Sequence, residues 1–127
     1  METVYLDTHV AIWIYAGQID RLPRRVLDVL ETADKRISPM VLLEIQLLKE
    51  IGKLEFKVDR FLRDMSVDMG IKLCDTSFAS VMLESSRMSW TRDPFDRVIV
   101  AHAANNESRL VTRDKAILEH YRRAFWG

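Results

Sequence analysis

With 127 residues, the chain is long enough for one self-sufficient core and short for two. Its 48% hydrophobic and 30% charged residues exclude a disordered or low-complexity protein, and 19 basic residues balanced by 19 acidic ones exclude tight, charge-driven binding of nucleic acid. No apolar run reaches the roughly 18 residues that a bilayer crossing needs, no basic-then-apolar leader opens the chain, and Cys74 has no partner, so the expectation is one soluble, cytoplasmic domain over residues 1–127 with no membrane contact and no disulfide.

Val4 to Leu6 reads as a strand running into Asp7 and Thr8, after which Val10, Ile12, Trp13 and Ile14 form a helical apolar face ending near Gly17. Pro23 lies early in a second helical pattern, with Val26, Leu27 and Leu30 as its buried stripe to about Asp34, and a short strand from Arg36 to Ser38 follows. Pro39 opens a helix with a broad apolar face from Met40 to Ile51, ending at Gly52. Phe61, Leu62 and Met65 mark another helix that stops near Gly70, and Ile71 to Cys74 form a third strand. Asp75, Thr76 and Ser77 supply the cap of a helix from Phe78 to about Arg87, and Asp93-Pro94 starts one through Val98 and His102. Arg109 to Thr112 make a fourth strand, Asp114 begins a terminal helix to Tyr121, and Ala124 to Trp126 add a short edge strand. Strands alternating with helices predict an α/β fold with a mostly parallel sheet covered on both faces.

Five acids stand where strands hand over to helices: Asp7, Glu44, Asp93, Asp96 and Asp114. Open α/β sheets place their crevice beyond the carboxyl ends of parallel strands, so these acids can meet in one pocket. Carboxylates about 5 Å apart repel by roughly 3 kcal/mol per pair at an effective dielectric of about 20, which argues for a divalent cation among them. Each also has a structural role open to it. Asp93 is a good N-cap before Pro94, Asp96 stands where a capping-box acid would stand, and Asp114 can cap the last helix. Glu44 interrupts an apolar helix, where an unpaired carboxylate is costly; its structural escape is an ion pair with an arginine.

His9, His102 and His120 lack zinc-site spacing; His9 reads as orienting part of the crevice and His102 as bordering the core. Trp13, Trp90 and Trp126 read as core or interface aromatics, and Cys74 as a small buried hydrophobe. Neither a glycine-flanked nucleophilic serine nor a phosphate-cradling glycine loop is present.

The segments YLDTHVAIW, ISPMVLLEIQLLKEIGKLEF, DPFDRVIVAHA and LVTRDKAI resemble, in order and over nearly the whole chain, the motifs of PIN-domain proteins, and among them VapC-like toxin ribonucleases. The resemblance implies a three-layer α/β/α sandwich and a metal quartet of Asp7, Glu44, Asp96 and Asp114, with Asp93 as an accessory acid or cap. Thr8 and Thr112 match the small hydroxyl residues beside the site. It further implies a homodimer and a VapB-like antitoxin partner. Oxygen ligands of this kind suit Mg²⁺, with Mn²⁺ as the other candidate, and the expected reaction is hydrolysis of RNA by activated water. Arg92, Arg97 and Arg113 flank the acids and are candidates either for RNA phosphates or for pairing with the same carboxylates. Two other classes stay open on the residues alone: a receiver-like signalling domain with a Mg²⁺ site, and a non-catalytic binding module whose acids are caps and ion pairs.

Overall fold

In a computed structural model that describes residues 1–127, five parallel strands form one sheet in the order β3-β2-β1-β4-β5. These are β1 (Thr3–Leu6), β2 (Asp34–Ile37), β3 (Lys72–Leu73), β4 (Arg109–Val111) and β5 (Ala124–Phe125). Between β1 and β2 run α1 (Thr8–Tyr15), a 3-10 turn (Ile19–Arg21) and α2 (Arg24–Thr32). The helices α3 (Met40–Glu50) and α4 (Val58–Met69) join β2 to β3, α5 (Phe78–Ser85) and α6 (Pro94–Asn105) join β3 to β4, and α7 (Lys115–His120) joins β4 to β5. The fold is an α/β/α sandwich, as the alternation of patterns predicts.

The central strand β1 is buried along Val4, Tyr5 and Leu6, and β4 contributes Leu110 and Val111 beside it. Continuous apolar runs of this kind suit strands covered on both faces. Around them Val10, Val26, Ile37, Ile45, Phe61 and Ile99 close one contiguous core. Gly70 ends α4 in the left-handed conformation at φ +65°, and Gly52 adopts φ +82° just past the cap of α3, so both stops fall where glycine relieves a Cβ clash.

Several boundaries differ from expectation. The second strand begins at Asp34 rather than Arg36, because Asp34 N–H donates to the Glu2 carbonyl and Asp34 pairs in register with Thr3. The 3-10 turn has no apolar period and was not predicted. The apolar breadth of α3 is only partly core: Val41 and Ile45 are buried, whereas Leu43, Leu47 and Ile51 form an exposed stripe at i, i+4 and i+8.

The order of strands decides where a site can form. From β1 the chain moves outward through β2 to β3, then crosses back to β4 on the other side of β1. The direction therefore reverses between β1 and β4, and a crevice opens beyond their carboxyl ends. A receiver-like sheet would run 2-1-3-4-5, so this topology is not that of a receiver.

Candidate active site

Asp7 follows β1 directly and serves as the N-cap of α1, its carboxylate accepting from Thr8 N–H at 2.8 Å. Its backbone N–H continues the ladder to the Val111 carbonyl, which brings the end of β4 alongside. There the Thr112 hydroxyl donates to Asp7 Oδ2 at 2.6 Å and accepts from Asp114 N–H at 3.0 Å, tying the two strand-end acids together. Asp114 caps α7 through Oδ1, which accepts from Ile117 N–H at 3.0 Å. From the third segment, Glu44 on α3 receives the Thr8 hydroxyl on Oε1. From the fourth, Asp93 caps α6 by accepting from Phe95 and Asp96 N–H at 2.8 and 3.3 Å. Asp96 sits one turn into the same helix. Asp7, Glu44, Asp93, Asp96 and Asp114 line one cavity of about 350 Å³ together with His9, Trp13 and Arg113.

The pocket is short of positive charge. No ion pair joins any of its carboxylates to a basic side chain; the ion pairs of the molecule lie elsewhere. Burial pushes the Asp7 carboxyl above its ordinary value, against the opposing hydrogen bonds from Thr112 and Thr8. Glu44 is raised by burial against its bond from Thr8, with the Asp7 charge adding to the rise. Asp96 is pushed up to about 7, first by burial and then by the charges of Asp93, Asp7, Asp114 and Glu44. Its carboxylate makes no hydrogen bond within the chain, so nothing offsets those causes.

A divalent cation fits the chemistry of this donor set. All five groups are hard oxygen donors, Asp96 has both oxygens uncommitted, and Glu44, Asp93 and Asp114 each commit only one oxygen to a protein donor. No three His, Cys, Asp or Glu side chains converge into a ready-made metal cage.

The sequence-derived candidates divide by position. Thr8 and Thr112 are fully buried and each bonds a pocket carboxylate, so their hydroxyls orient acids rather than satisfy loop backbone alone. The capping box open to Asp96 at α6 does not form: Asp93 N–H donates to Thr91 Oγ1 at 3.2 Å rather than to the Asp96 side chain, which leaves Asp96 free for the pocket. Of the three arginines only Arg113 lines the cavity. Arg97 donates through Nε to the Thr91 carbonyl at 2.8 Å, and Arg92 is exposed outside it. None of the three pairs with the acids, so neither they nor any other arginine gives Glu44 an ion pair. Trp13, expected as a core or interface aromatic, is half-buried against the core and also forms a wall of the cavity, which its helical apolar spacing alone could not reveal.

An open α/β domain with an acid-lined crevice at its topological switch point is the class of protein that this geometry defines. The chain belongs to the PIN domain family, whose model matches residues 4–123. It is 28% identical over 123 residues to Ribonuclease VapC22 of Mycobacterium tuberculosis, the match covering 94% of this chain and 93% of that protein. Among solved structures it is similar to VapBC2 from Rickettsia felis bound to a promoter DNA fragment, with a TM-score of 0.72, 17% identity and coverage of 98% of this chain and 99% of the other. A toxin-antitoxin complex from Klebsiella pneumoniae superposes with a TM-score of 0.65 at 18% identity, covering 96% of this chain and 95% of that one.

Proposed function

We propose that this PIN domain is a divalent-cation-dependent endoribonuclease, the toxin of a VapBC-type toxin-antitoxin pair, which hydrolyses RNA phosphodiester bonds in the cytoplasm. The observation that carries the reading is the five-carboxylate crevice in which no acid is ion-paired and Asp96 is pushed up to about 7. Membership of the PIN family and the likeness to a ribonuclease over most of both chains support the activity.

In this reading Asp7, Glu44, Asp96 and Asp114 hold Mg²⁺ or Mn²⁺, with Asp93 as accessory. The ion supplies a nucleophilic water at neutral pH and charge neutralisation at the phosphate. The chain's own part is to hold the acids ready for it. Thr112 fixes the Asp7 carboxylate and Thr8 fixes Glu44, so two of the ligands are oriented by buried hydroxyls rather than by mobile loops. Arg113 is the cation best placed to receive an RNA phosphate, since it lines the crevice and is bound to no acid. Arg92 and Arg97 act at most on the RNA outside it.

A homodimer and a VapB-like antitoxin complete the proposal. The exposed stripe Leu43, Leu47 and Ile51 on α3 supports assembly, because an apolar row at helical spacing on a small protein is costly to leave in water. The solved structures it superposes on include VapBC complexes, which supports the antitoxin partner.

The test is incubation of the purified chain with single-stranded RNA and Mg²⁺, followed by analysis of the product ends. Cleavage abolished by EDTA, with 5′-phosphate and 3′-hydroxyl products, is expected. Cyclic phosphate ends, or cleavage indifferent to EDTA, would overturn the mechanism.

A further inference from the structure

One wall of the acid crevice is aromatic and cationic. Trp13 on α1 lines both the acid cavity and a second cavity of about 310 Å³, and His9 lines both as well, so the two adjoin at this pair of rings. The His9 ring lies 6.2 Å from the Trp13 ring, tilted by 52°. Two guanidinium groups lie over the same indole, Arg21 at 5.3 Å and Arg113 at 5.5 Å, both within the range of a cation-π contact. Neither arginine makes an ion pair, although Arg113 shares a cavity with five carboxylates. The indole thus holds positive charge at the edge of the acids and out of reach of neutralising them.

The second cavity differs in character. Ile12, Leu48, Leu54 and Phe56 give it an apolar lining, and Gln18 and Lys53 sit at its rim with side chains that make no hydrogen bond or ion pair within the chain. A cleft of this kind takes a flat apolar ring with a polar edge, and free cations beside it take phosphate. A single-stranded polynucleotide brings its bases to the apolar cleft and its phosphates to the two arginines that lie over the indole without an ion pair.

We propose that Trp13, Arg21 and Arg113 and the adjoining apolar cleft form a subsite for one unpaired nucleotide of single-stranded RNA, next to the phosphate held at the acids. The inference rests on the ribonuclease reading for the identity of the polymer, and it adds where the chain grips it. Trp13 and Leu54 pack the base, Arg21 and Arg113 hold the flanking phosphates, and Gln18 and Lys53 reach the edge of the base, where they can discriminate among bases. On this reading, preference at one position of the RNA comes from the cleft and not from the acids.

The experiment measures binding rather than turnover, so that it succeeds or fails separately from the cleavage assay. A fluorescein-labelled single-stranded oligoribonucleotide of random sequence is titrated by anisotropy with the full-length Asp96→Asn chain, in Mg²⁺, at several salt concentrations. In that background Trp13→Leu is expected to weaken binding about tenfold, the size of a lost base-aromatic stack. Arg113→Gln should weaken it less and lower the salt dependence by about 0.7 in log-log slope, the value for one phosphate contact on a single strand. Because Trp13 is half-buried, Leu54→Glu and Lys53→Gln at the cleft provide independent variants, each checked for an unchanged circular dichroism spectrum. A further arm compares four homopolymeric oligoribonucleotides, whose ranking Gln18→Ala should change. If the arginine and cleft variants all bind RNA as tightly as the parent, with the same salt slope and base ranking, the proposal is overturned and the cleft is left for a protein chain. Loss of binding in these variants, alongside an unsubstituted chain that does not cleave RNA with Mg²⁺, would sink the ribonuclease mechanism and keep the subsite.

Discussion

The two ends of the central sheet carry the same residue types and treat them in opposite ways. At the amino end Glu2 receives Arg109 through Nη2 at 2.9 Å, and Asp34 pairs with Arg36 at 3.0 Å and takes a hydroxyl from Thr3. Arg109 also lies over Phe125 at 4.2 Å. The hydrogen bond from Arg109 holds the Glu2 carboxyl below its ordinary value. At the carboxyl end five acids gather with no such partner, Arg113 lies over Trp13 instead, and three of the carboxyls are raised. The difference teaches that the chain neutralises its acids with its own arginines at one end of the sheet only. Acids at the amino end are paired with arginines of the chain itself, whereas those at the carboxyl end have no ion pair within it.

Substitution on the two ends breaks this contrast most directly. Asp96→Asn is expected to lower metal-dependent RNA cleavage by about 100-fold or more, the scale of losing one preorganised charge at a reacting centre, while Glu2→Gln leaves the rate within about twofold. Single-turnover assays on a labelled RNA measure both, and equal losses at the two ends would erase the distinction.

Next in size is the response to the ion. Mg²⁺ at about 100 times its dissociation constant should stabilise the folded chain by roughly 2.7 kcal/mol through binding linkage, seen as a rise in melting temperature. Glu2→Gln should keep that rise and Asp96→Asn should lose most of it. An equal rise in both would move the cation site away from the crevice.

The smallest effects come from pH in the metal-free chain, and their signs are opposite at the two ends. Asp96 holds its proton up to about 7 when folded, against an ordinary value of 3.8, so the folded state binds that proton more tightly. Its contribution to stability is complete below the ordinary value and is lost as pH rises through about 7. At pH about 8, Asp96→Asn should therefore stabilise the chain by about 1 kcal/mol, a figure discounted for its half-exposed position, with the gain vanishing toward pH about 4. Glu2 is lowered, so its contribution is present above its ordinary value and disappears on acidification; Glu2→Gln should cost about 0.5 kcal/mol at neutral pH and nothing in acid. Thermal melts across that range read both, and matching signs would refute the comparison.

How much of the site was legible follows from how local each feature is. Asp7-Thr8 after an apolar strand and Asp93-Pro94 before a helical pattern are signals within a few residues, and both mark helix starts in the structure. Glu44 stood out because a carboxylate inside an apolar helical run needs a reason; it is half-buried against Thr8, a residue 36 positions away that its own neighbours do not reveal. Asp96 was ambiguous between capping box and pocket, and a single hydroxyl, Thr91 Oγ1, resolves it by taking the backbone donor that a capping box would have used. The arginines were least legible. Their long side chains reach in several directions, and only packing sends Arg97 to the Thr91 carbonyl and Arg113 to the face of Trp13.

By itself, the sequence determined the alternation of strands and helices, the single apolar core, the strand-end acids and the family resemblance. These properties rest on hydrophobic period, turn chemistry and residue order, which act over a few residues at a time. Only the tertiary structure decided that the chain reverses between β1 and β4, that acids from four segments share one cavity, and that the arginine lining it lies over Trp13 without an ion pair to any of them. The physical reason is that charge balance is summed over distances of a few ångströms in space, and side chains from distant segments enter that sum only after the sheet has brought their strand ends together.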